Sequence, residues 1–298
     1  MILQKIEYLF RWCVFSFAQR FSPIVPDKLF LKIVYRKMMG EELNLNNPRT
    51  FNEKLQWLKL YDRKPEYTRM VDKYEAKNYV ASIIGVNHII PTLAVYNSVD
   101  EIDFEALPNQ FVLKCTHDSG GVVVCKDKLT FDRRNALEKL RDGLKRNFYY
   151  QNREWPYKNV KPRIIAEQYK EDSSGGLIDY KLMCFNGCVK CSFVVTNRHQ
   201  ESPIYVDFYD RDWNHLPFSR HYLNSNKEVK RPVNYNKMIQ FAEKLSKGIP
   251  FVRVDFYEVE NKVYFGEMTF YPGSGFEEFK PKEWDAKLGD MIDISLIN

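Results

Sequence analysis

Short β-rich runs dominate the chain from residue 87 onward. Asn186-Gly187 separates two of them and is the strongest two-residue signal for a β-hairpin. Between the runs, Arg133–Arg146 and Tyr235–Lys247 predict helices. The predicted strands are His88–Tyr96, Phe111–Thr116, Val122–Cys125, Arg163–Tyr169, Asp179–Phe185, Cys188–Val195, Phe251–Tyr257 and Lys262–Thr269. Helices interleaved with mainly antiparallel hairpins predict an α+β fold.

Helical patterns dominate the first 86 residues. Thr50-Phe51-Asn52-Glu53 is a capping-box pattern that predicts a helix through Tyr61, and Asp72–Ile84 predicts a second helix. Residues 2–21 are strongly apolar, but their longest run without charge, Trp12–Gln19, is too short to span a bilayer. Two interpretations of this segment stay open: a helix that lies in a membrane interface, and a helix that packs on the body.

Charge is concentrated at the N-terminus. Residues 1–40 contain seven Lys/Arg and two Asp/Glu, a net charge of +5, whereas the whole chain of 298 residues carries +6. The folded body therefore lacks the basic stripe of a nucleic-acid-binding protein. Residues 1–22 are candidates for peripheral membrane association. No cleavable signal pattern is present, and the six cysteines then indicate reduced thiols, so we predict a cytoplasmic location, at the inner face of the membrane if the N-terminus attaches there.

The chain contains neither GxxxxGK[ST] nor GxGxxG, so the two commonest phosphate-binding loops are absent. Another candidate is the strand Phe111–Thr116, which carries Lys114 and runs into Ser119, Gly120 and Gly121. A lysine in the middle of a strand is costly unless it meets an anion, and glycines let backbone amides approach phosphate closely. The alternative is a surface lysine before an ordinary turn.

The last predicted hairpin carries two acidic residues. If its loop holds three residues, Asp255 lies opposite Glu267, and Arg253 lies opposite Thr269, all on one face. Two carboxylates about 5 Å apart repel each other and require a cation. Mg²⁺ fits, because it binds one or two carboxylates and completes its shell with phosphate oxygens and water. The alternative is a solvated face on which Arg253 pairs with Asp255.

The strand Arg163–Tyr169 is a third candidate element, because an apolar strand that ends at Glu167 can present backbone groups to adenine. Downstream, Asp179 can accept hydrogen bonds from ribose hydroxyls, and Lys181 can reach phosphate. Each of these signals is weak alone, and their order along the chain carries the interpretation.

That order resembles the ATP-grasp superfamily, and within it the TupA-like group linked to teichuronopeptide and capsular polysaccharide synthesis. The segments that carry the resemblance are TFNEKLQWLKLYDR (from Thr50), VDKYEAKNYV (from Val71), FVLKCTHDSGG (from Phe111), REWPYKN (from Arg153), PRIIAEQY (from Pro162), DYKLMCFNG (from Asp179), FYDRDW (from Phe208) and FVRVDFYEVENKVYFGEMTFYPGSGFEEF (from Phe251). They cover most of residues 48–292, the expected catalytic domain, with a nucleotide-clamping subdomain at about 110–170. Residues 1–47 form a helical, basic and aromatic extension. The resemblance implies an ATP-grasp fold in which two α+β subdomains clamp ATP.

The resemblance also implies a nucleotide site. Lys114 would contact the α-phosphate side, and Ser119, Gly120 and Gly121 would close over the β- and γ-phosphates. The adenine hinge would be Glu167, Gln168 and Tyr169, with Asp179 at the ribose and with Lys73 and Lys181 as further cleft lysines.

The metal and substrate residues follow in the same way. Asp255 and Glu267 would hold Mg²⁺, whereas Thr269 replaces the asparagine of related ligases. Lys181 and Arg198 match two arginines of the ribosomal-protein glutamate ligases. Arg253 and the loop Gly273, Ser274 and Gly275 would orient the acyl phosphate or the incoming carboxylate.

The implied reaction phosphorylates a carboxylate with ATP and then forms an amide with an amine. The expected partners are a uronic-acid-containing glycan or sugar precursor and an amino acid or amine, with no nucleic acid. A glycosyltransferase that uses Asp210 and Asp212 is one alternative, although these residues also read as turn formers. The others are an ATP-dependent glycan kinase and a non-catalytic, membrane-associated subunit of a glycan-assembly complex.

Overall fold

The computed structural model describes residues 14–172, 176–196, 203–225, 228–295 and 297. Residues 14–20 are helical. The helices that follow are α1 (Asp27–Met39), α2 (Phe51–Tyr61), α3 (Glu66–Val71), α4 (Glu75–Ile84), α5 (Arg133–Leu144), α6 (Tyr149–Asn152), α7 (Tyr235–Leu245) and α8 (Glu283–Asp290). The strands are β1 (Thr92–Tyr96), β2 (Phe111–Cys115), β3 (Val122–Cys125), β4 (Ile164–Gln168), β5 (Asp179–Phe185), β6 (Cys188–Thr196), β7 (Tyr205–Asp210), β8 (Ser219–Arg220), β9 (Phe251–Val259), β10 (Lys262–Thr269) and β11 (Phe279–Lys280).

Two antiparallel sheets form the body. The smaller has the strand order β1-β4-β2-β3, the larger has the order β10-β9-β5-β6-β7, and β8 pairs separately with β11. The four-stranded and the five-stranded sheet each have their own hydrophobic core. Phe111, Leu113 and Ile164 lie in the core of the smaller sheet. Leu182 and Val254 lie in the core of the larger one. The α+β prediction is confirmed.

The predicted capping box is present at the start of α2. The Thr50 hydroxyl accepts a hydrogen bond from the Glu53 amide, and the Glu53 carboxylate accepts one from the Thr50 amide, both at 3.2 Å. The prediction of one helix over residues 72–84 is wrong at its start. The Asp72 carboxylate accepts a hydrogen bond from the Tyr74 amide at 2.9 Å, and this local turn delays α4 until Glu75.

The β9–β10 hairpin differs from the prediction in its turn. Its loop has two residues, Glu260 and Asn261, both with positive φ, so Val259 pairs with Lys262. With this register alone, Glu267 would lie opposite Val254, on the other face from Asp255. A β-bulge between Phe265 and Met268 shifts the pairing by one residue and restores Thr269 opposite Arg253.

The bulge depends on a close approach of the backbone. A Cβ added at Gly266 would lie 3.1 Å from the Asp255 carbonyl oxygen and 3.1 Å from the Tyr257 ring. Glycine at position 266 therefore allows the bulge to pack against β9.

The N-terminal segment is attached to the body through Arg153, whose side chain is buried. Its Nε lies 2.8 Å from Asp27 Oδ1, and its Nη2 donates to the Val25 carbonyl at 3.0 Å. The Tyr149 hydroxyl donates to the same aspartate at 2.6 Å. Residues from Ser22 onward therefore pack on the body. Among the described residues, no helix is both long and apolar enough to cross a membrane, and residues 1–13 lie outside them.

Candidate active site

A cavity of about 470 Å³ is lined by residues from both large sheets. The smaller sheet and its loops contribute Lys114, Ser119, Gly120 and Glu167. The larger sheet contributes Asp179, Lys181, Arg253, Gly266 and Glu267, and the helical region contributes Lys73 and Lys77. Most of the residues predicted from the sequence to form a nucleotide site therefore line the same cavity.

Lys114 meets an anion, as the sequence argument required, but the anion is the side chain of Glu167. The Lys114 ammonium lies 2.5 Å from one oxygen of the Glu167 carboxylate, and the Lys77 ammonium lies 2.6 Å from the other. Burial opposes ionisation of Glu167, but the two lysines outweigh it and lower its pKa below the usual value. Two ammonium groups and one carboxylate leave this wall with a net positive charge, which suits a phosphate.

Lys73 ties the helical region to the loop after β2. Its amide donates to the Thr116 carbonyl at 3.0 Å, and its ammonium donates to the Asp118 carbonyl. In the same loop, Gly120 has a φ of 95° and lines the cavity with Ser119. Gly121 packs on Asp118, since a Cβ there would lie 2.7 Å from the Asp118 carboxylate. The loop thus reaches the cleft at Ser119 and Gly120.

Arg253 lies at the centre of the predicted metal site. Its Nε and Nη2 each lie 2.7 Å from an Asp255 carboxylate oxygen. The same Nη2 lies 2.9 Å from both a Glu267 oxygen and the Thr269 hydroxyl. The Lys181 ammonium donates to Asp255 and lies 3.7 Å from Asp179. The four hairpin side chains share one face, as predicted. Arg253 pairs with Asp255, as in the alternative interpretation, and also with Glu267.

The two carboxylates differ in their ionisation. Burial opposes ionisation of Glu267, but Lys181, Arg253 and Lys73 outweigh it and lower its pKa to about 2. For Asp255, complete burial raises the pKa, and Arg253 and Lys181 limit the rise. The neighbouring cations therefore favour the ionised form of Glu267, which lines the cleft.

The residues present fit magnesium that arrives with a nucleotide. Carboxylate oxygens are suitable ligands, and the Glu267 side chain is 44% exposed where it lines the cavity. Within the described part of the chain, no three His, Cys, Asp or Glu side chains are grouped to hold a metal. Glu267 would therefore hold Mg²⁺ only together with phosphate oxygens. Asp255 is fully buried, pairs with Arg253 and Lys181 and is not among the residues that line the cavity, so its contact with the metal stays a prediction.

The predicted adenine hinge is only partly placed in the cleft. The Glu167 side chain lines it, but Gln168 is exposed, and its amide donates to the Pro91 carbonyl at 3.0 Å. The Tyr169 hydroxyl donates to Glu171 at 2.7 Å. Neither Gln168 nor Tyr169 is among the residues that line the cavity, so an adenine contact at these two positions stays a prediction.

The loop after β10 reaches the cleft at Gly273. The Ser274 hydroxyl donates to Glu154 at 2.6 Å, and the Gly275 carbonyl accepts from Gln56 at 2.7 Å. The Ser274 carbonyl accepts from the buried Lys59 ammonium at 2.8 Å. Ser274 and Gly275 are therefore committed to a buried network behind the cleft, whereas Gly273 lines the cavity.

Two predictions concern residues elsewhere. Arg198 lies outside the described residues, so its predicted role stays a prediction. Asp210 forms the turn that the sequence suggested: its carboxylate accepts from the amides of Asp212 and Asn214 at 2.9 and 2.8 Å. Asp210 and Asp212 are not among the residues that line the cavity.

Sequence reasoning missed five residues around the cleft. They are Lys59, Lys77, Glu154, Arg220 and Glu277. Lys77 lies four residues after Lys73 and within the helix that the sequence predicts, so its nearness to Lys73 was a usable signal, although α4 begins only at Glu75. The other four come from separate, distant segments, and no local pattern marks them.

The sequence matches the family described as TupA-like ATPgrasp over residues 53–293. This match covers most of the chain and includes every residue of the cleft named above. The fold is thus that of an ATP-grasp protein. The chain belongs to the TupA-like ATP-grasp family, as the sequence predicted.

The chain also resembles solved structures at low identity. It is 16% identical to a D-alanine-D-alanine ligase from Helicobacter pylori (TM-score 0.39), with 69% of this chain and 52% of the ligase covered. It is 15% identical to a D-alanine-D-alanine ligase from Bacillus anthracis complexed with ATP (TM-score 0.42), with 75% of this chain and 64% of that ligase covered. It is 14% identical to an N5-carboxyaminoimidazole synthase from Aspergillus clavatus (TM-score 0.41), with 69% of this chain and 46% of the synthase covered. The chain thus spans about half the length of the first ligase. No curated protein matches it.

Proposed function

We propose that the protein is an ATP-dependent carboxylate–amine ligase. The observation that carries the proposal is one cleft lined by Lys73, Lys77 and Lys114 on one side and by Glu267 on the other, with Asp255 buried behind Glu267 against Arg253 and Lys181. A triphosphate needs cations on its oxygens, and its magnesium needs carboxylates. Membership in an ATP-grasp family supports this assignment.

The protein's own residues would act mainly by positioning. Lys114 and Lys77, held apart by Glu167, present fixed ammonium groups to a phosphate chain, and Ser119 and Gly120 cover it with backbone amides. When bound, magnesium neutralises developing charge on the transferred phosphoryl group. Asp255 and Glu267 would hold it, and Arg253 keeps both carboxylates in place.

The reaction we propose has two steps. A carboxylate oxygen of the acceptor attacks the γ-phosphorus of ATP, which forms an acyl phosphate and releases ADP. An amine then attacks the acyl carbon, which forms an amide and releases phosphate. The cleft residues supply charge and orientation, and no protein nucleophile is needed.

We propose a uronic acid on a glycan or sugar precursor as the carboxylate, and an amino acid or other amine as the attacking group. A role in bacterial capsule or teichuronopeptide synthesis follows from the resemblance of the sequence to the TupA-like group. A cytoplasmic site for this reaction, near the inner face of the membrane, belongs to the same proposal.

The test is incubation with Mg-ATP and a panel of uronic acids and amino acids, with ADP release and product mass as readouts. Hydroxylamine should trap the acyl phosphate as a hydroxamate. A stable phosphate ester on a sugar hydroxyl would instead identify a kinase, and transfer from a sugar nucleotide would identify a glycosyltransferase. Either result refutes the ligase proposal.

A matched pair of lysine variants tests the nucleotide site separately. Replacing Lys114 by Met should weaken Mg-ADP binding by at least about 10-fold, because a charge-assisted contact is lost. Replacing Lys145, an exposed lysine at the end of α5, should leave it unchanged. Equal binding by the two variants in calorimetry would count against the proposed site.

A further inference from the structure

The cavity is also lined by residues that the nucleotide proposal does not use. They include Phe193 and Val206 of the larger sheet, Arg220 and Tyr222 near β8, and Glu277 after β10. Arg220 is a buried cation within this set: its residue is 7% exposed. A charge in such a place has a large desolvation cost unless partners compensate for it.

Arg220 has one acidic partner in the described chain. Its Nε lies 2.8 Å from an oxygen of Glu277. The guanidinium also lies 5.1 Å from the ring centroid of Phe193 and 6.0 Å from that of Phe279. Its Nη1 is buried and has no hydrogen-bond partner among the described residues. Arg220 therefore lines the cavity and has at least one hydrogen-bond donor without a partner among the described residues.

Arg253 differs in this respect. Asp255, Glu267 and Thr269 already accept its hydrogen bonds. It lies 5.7 Å from the centroid of the same Phe193 ring that Arg220 contacts, so the two guanidinium groups are neighbours. The charge of Arg253 adds to burial in lowering the pKa of Arg220, which is a second sign of their closeness. An anion beside Arg220 would relieve this repulsion.

The partner of Arg220 is held in place by a glycine. A Cβ added at Gly273 would overlap the carboxylate of Glu277. Gly273 also has a φ of 57°, which disfavours other residues. The turn after β10 thus brings Glu277 against Arg220, whose side chain lines the cavity.

We infer that Arg220 binds the carboxylate of the acceptor substrate, and that Glu277 fixes the orientation of the guanidinium for this contact. The inference rests on the proposed ligase function. It names the residue that recognises the acidic group of a small organic carboxylate such as a uronic acid. Arg220 is adjacent to Arg253, so the bound carboxylate lies beside the site proposed for phosphoryl transfer.

The experiment measures binding of uronic acids and amino acids to the Mg-ADP complex by calorimetry. Each carboxylate is compared with its neutral methyl ester or amide. The wild type should prefer a carboxylate, and Arg220→Gln should weaken its binding by about 10- to 100-fold, the usual effect of losing a hydrogen bond to a charged group. The matched control is Arg211→Gln, on an exposed arginine that pairs with Glu243.

Mg-ADP and Mg-AMP-PNP affinities are measured on the same variants. If Arg220→Gln weakens the triphosphate analogue as strongly as the carboxylate, Arg220 contacts phosphate and the inference is overturned. The inference is also overturned if the wild type binds no carboxylate more tightly than the corresponding methyl ester or amide. This second test uses only the wild type, so it does not depend on whether a variant folds. Loss of nucleotide binding by the wild type would instead refute the proposed function.

Discussion

At the residue scale, Glu267 and Thr269 illustrate different tasks within one motif. Glu267 is ionised and lines the cleft, whereas the Thr269 hydroxyl bridges Arg253 and Glu267 at 2.9 and 3.3 Å. Glu267→Gln should lower ATP turnover by on the order of 100-fold, because the metal loses a charged ligand. Thr269→Ala should cost about 10-fold, since it removes a positioning contact.

ADP release measured over a range of magnesium concentrations, beginning below saturation, tests both effects. The expected difference also separates a ligand from a supporting residue: extra magnesium should partly rescue Glu267→Gln and leave Thr269→Ala unchanged. Equal losses in the two variants would contradict the separate roles.

Lys59 gives a pH-dependent prediction. Burial lowers its pKa to about 7, with Glu154 opposing the shift. Between pH 7 and the unfolded pKa of about 10.4, the unfolded state binds more protons, so this lysine makes the free energy of unfolding rise with pH. The stability difference between the wild type and Lys59→Met should therefore increase from pH 7 to pH 9.

Urea titrations at several pH values measure this difference. Other titrating groups contribute equally to the stability of both proteins, so their contributions cancel in the comparison. Lys59→Met should also be less stable overall by about 3 kcal/mol, because the carbonyls of Asn152 and Ser274 lose their buried donor. A pH-independent difference would mean that Lys59 is charged throughout.

At the element scale, the bulge in β10 decides whether the acidic residues meet. Gly266→Ala should destabilise the protein by about 1–3 kcal/mol through overpacking against Asp255 and Tyr257. It should also weaken Mg-ADP binding, because Glu267 follows the bulge directly. Asn261→Gly in the turn of the same hairpin is the control, since its φ of 60° favours glycine. That control should keep full nucleotide affinity.

The same hairpin shows what the sequence could and could not predict. Alternation identified both strands and the shared face of Arg253, Asp255, Glu267 and Thr269, because side chains alternate with period two. The predicted pairing assumed a three-residue loop, whereas the protein uses a two-residue turn and a bulge that together give the same final pairing. Local pattern cannot distinguish these solutions, because the bulge is set by packing of Gly266 on β9.

Contacts between residues far apart in the chain are the second feature that the sequence could not predict. The lysine in β2 predicted an anion, and the glycine loop predicted a phosphate. Which carboxylate faces Lys114 depends on β2 and β4 being neighbours, since Val112 pairs with Glu167 in the sheet. Arg220 and Glu277 lie 57 residues apart and meet only through the β8–β11 pair and the Gly273 turn. No spacing in the sequence indicates such a contact.

At the scale of the whole molecule, the N-terminal surface is the main unexplained feature. Phe17 and Ile24 are 58% and 77% exposed near a chain segment rich in lysine and arginine. If this surface contacts a membrane, replacing both residues by Ser should reduce binding to anionic vesicles by about 10-fold or more. Co-sedimentation with vesicles that contain phosphatidylglycerol measures it.

Leu129→Ser is the control, because Leu129 is 94% exposed on a different part of the molecule. Unchanged sedimentation of the double variant would dismiss the membrane contact. ATP turnover without vesicles should be the same in all three proteins.

The burial of Arg153 limits how the N-terminus can be shortened. Its guanidinium is satisfied by Ser22, Val25 and Asp27, which lie about 130 positions earlier in the chain. A shortened protein that begins after Asp27 would leave a cation enclosed without counter-charge, and it should misfold even though the cleft is untouched. Trimming for solubility should therefore end before Ser22.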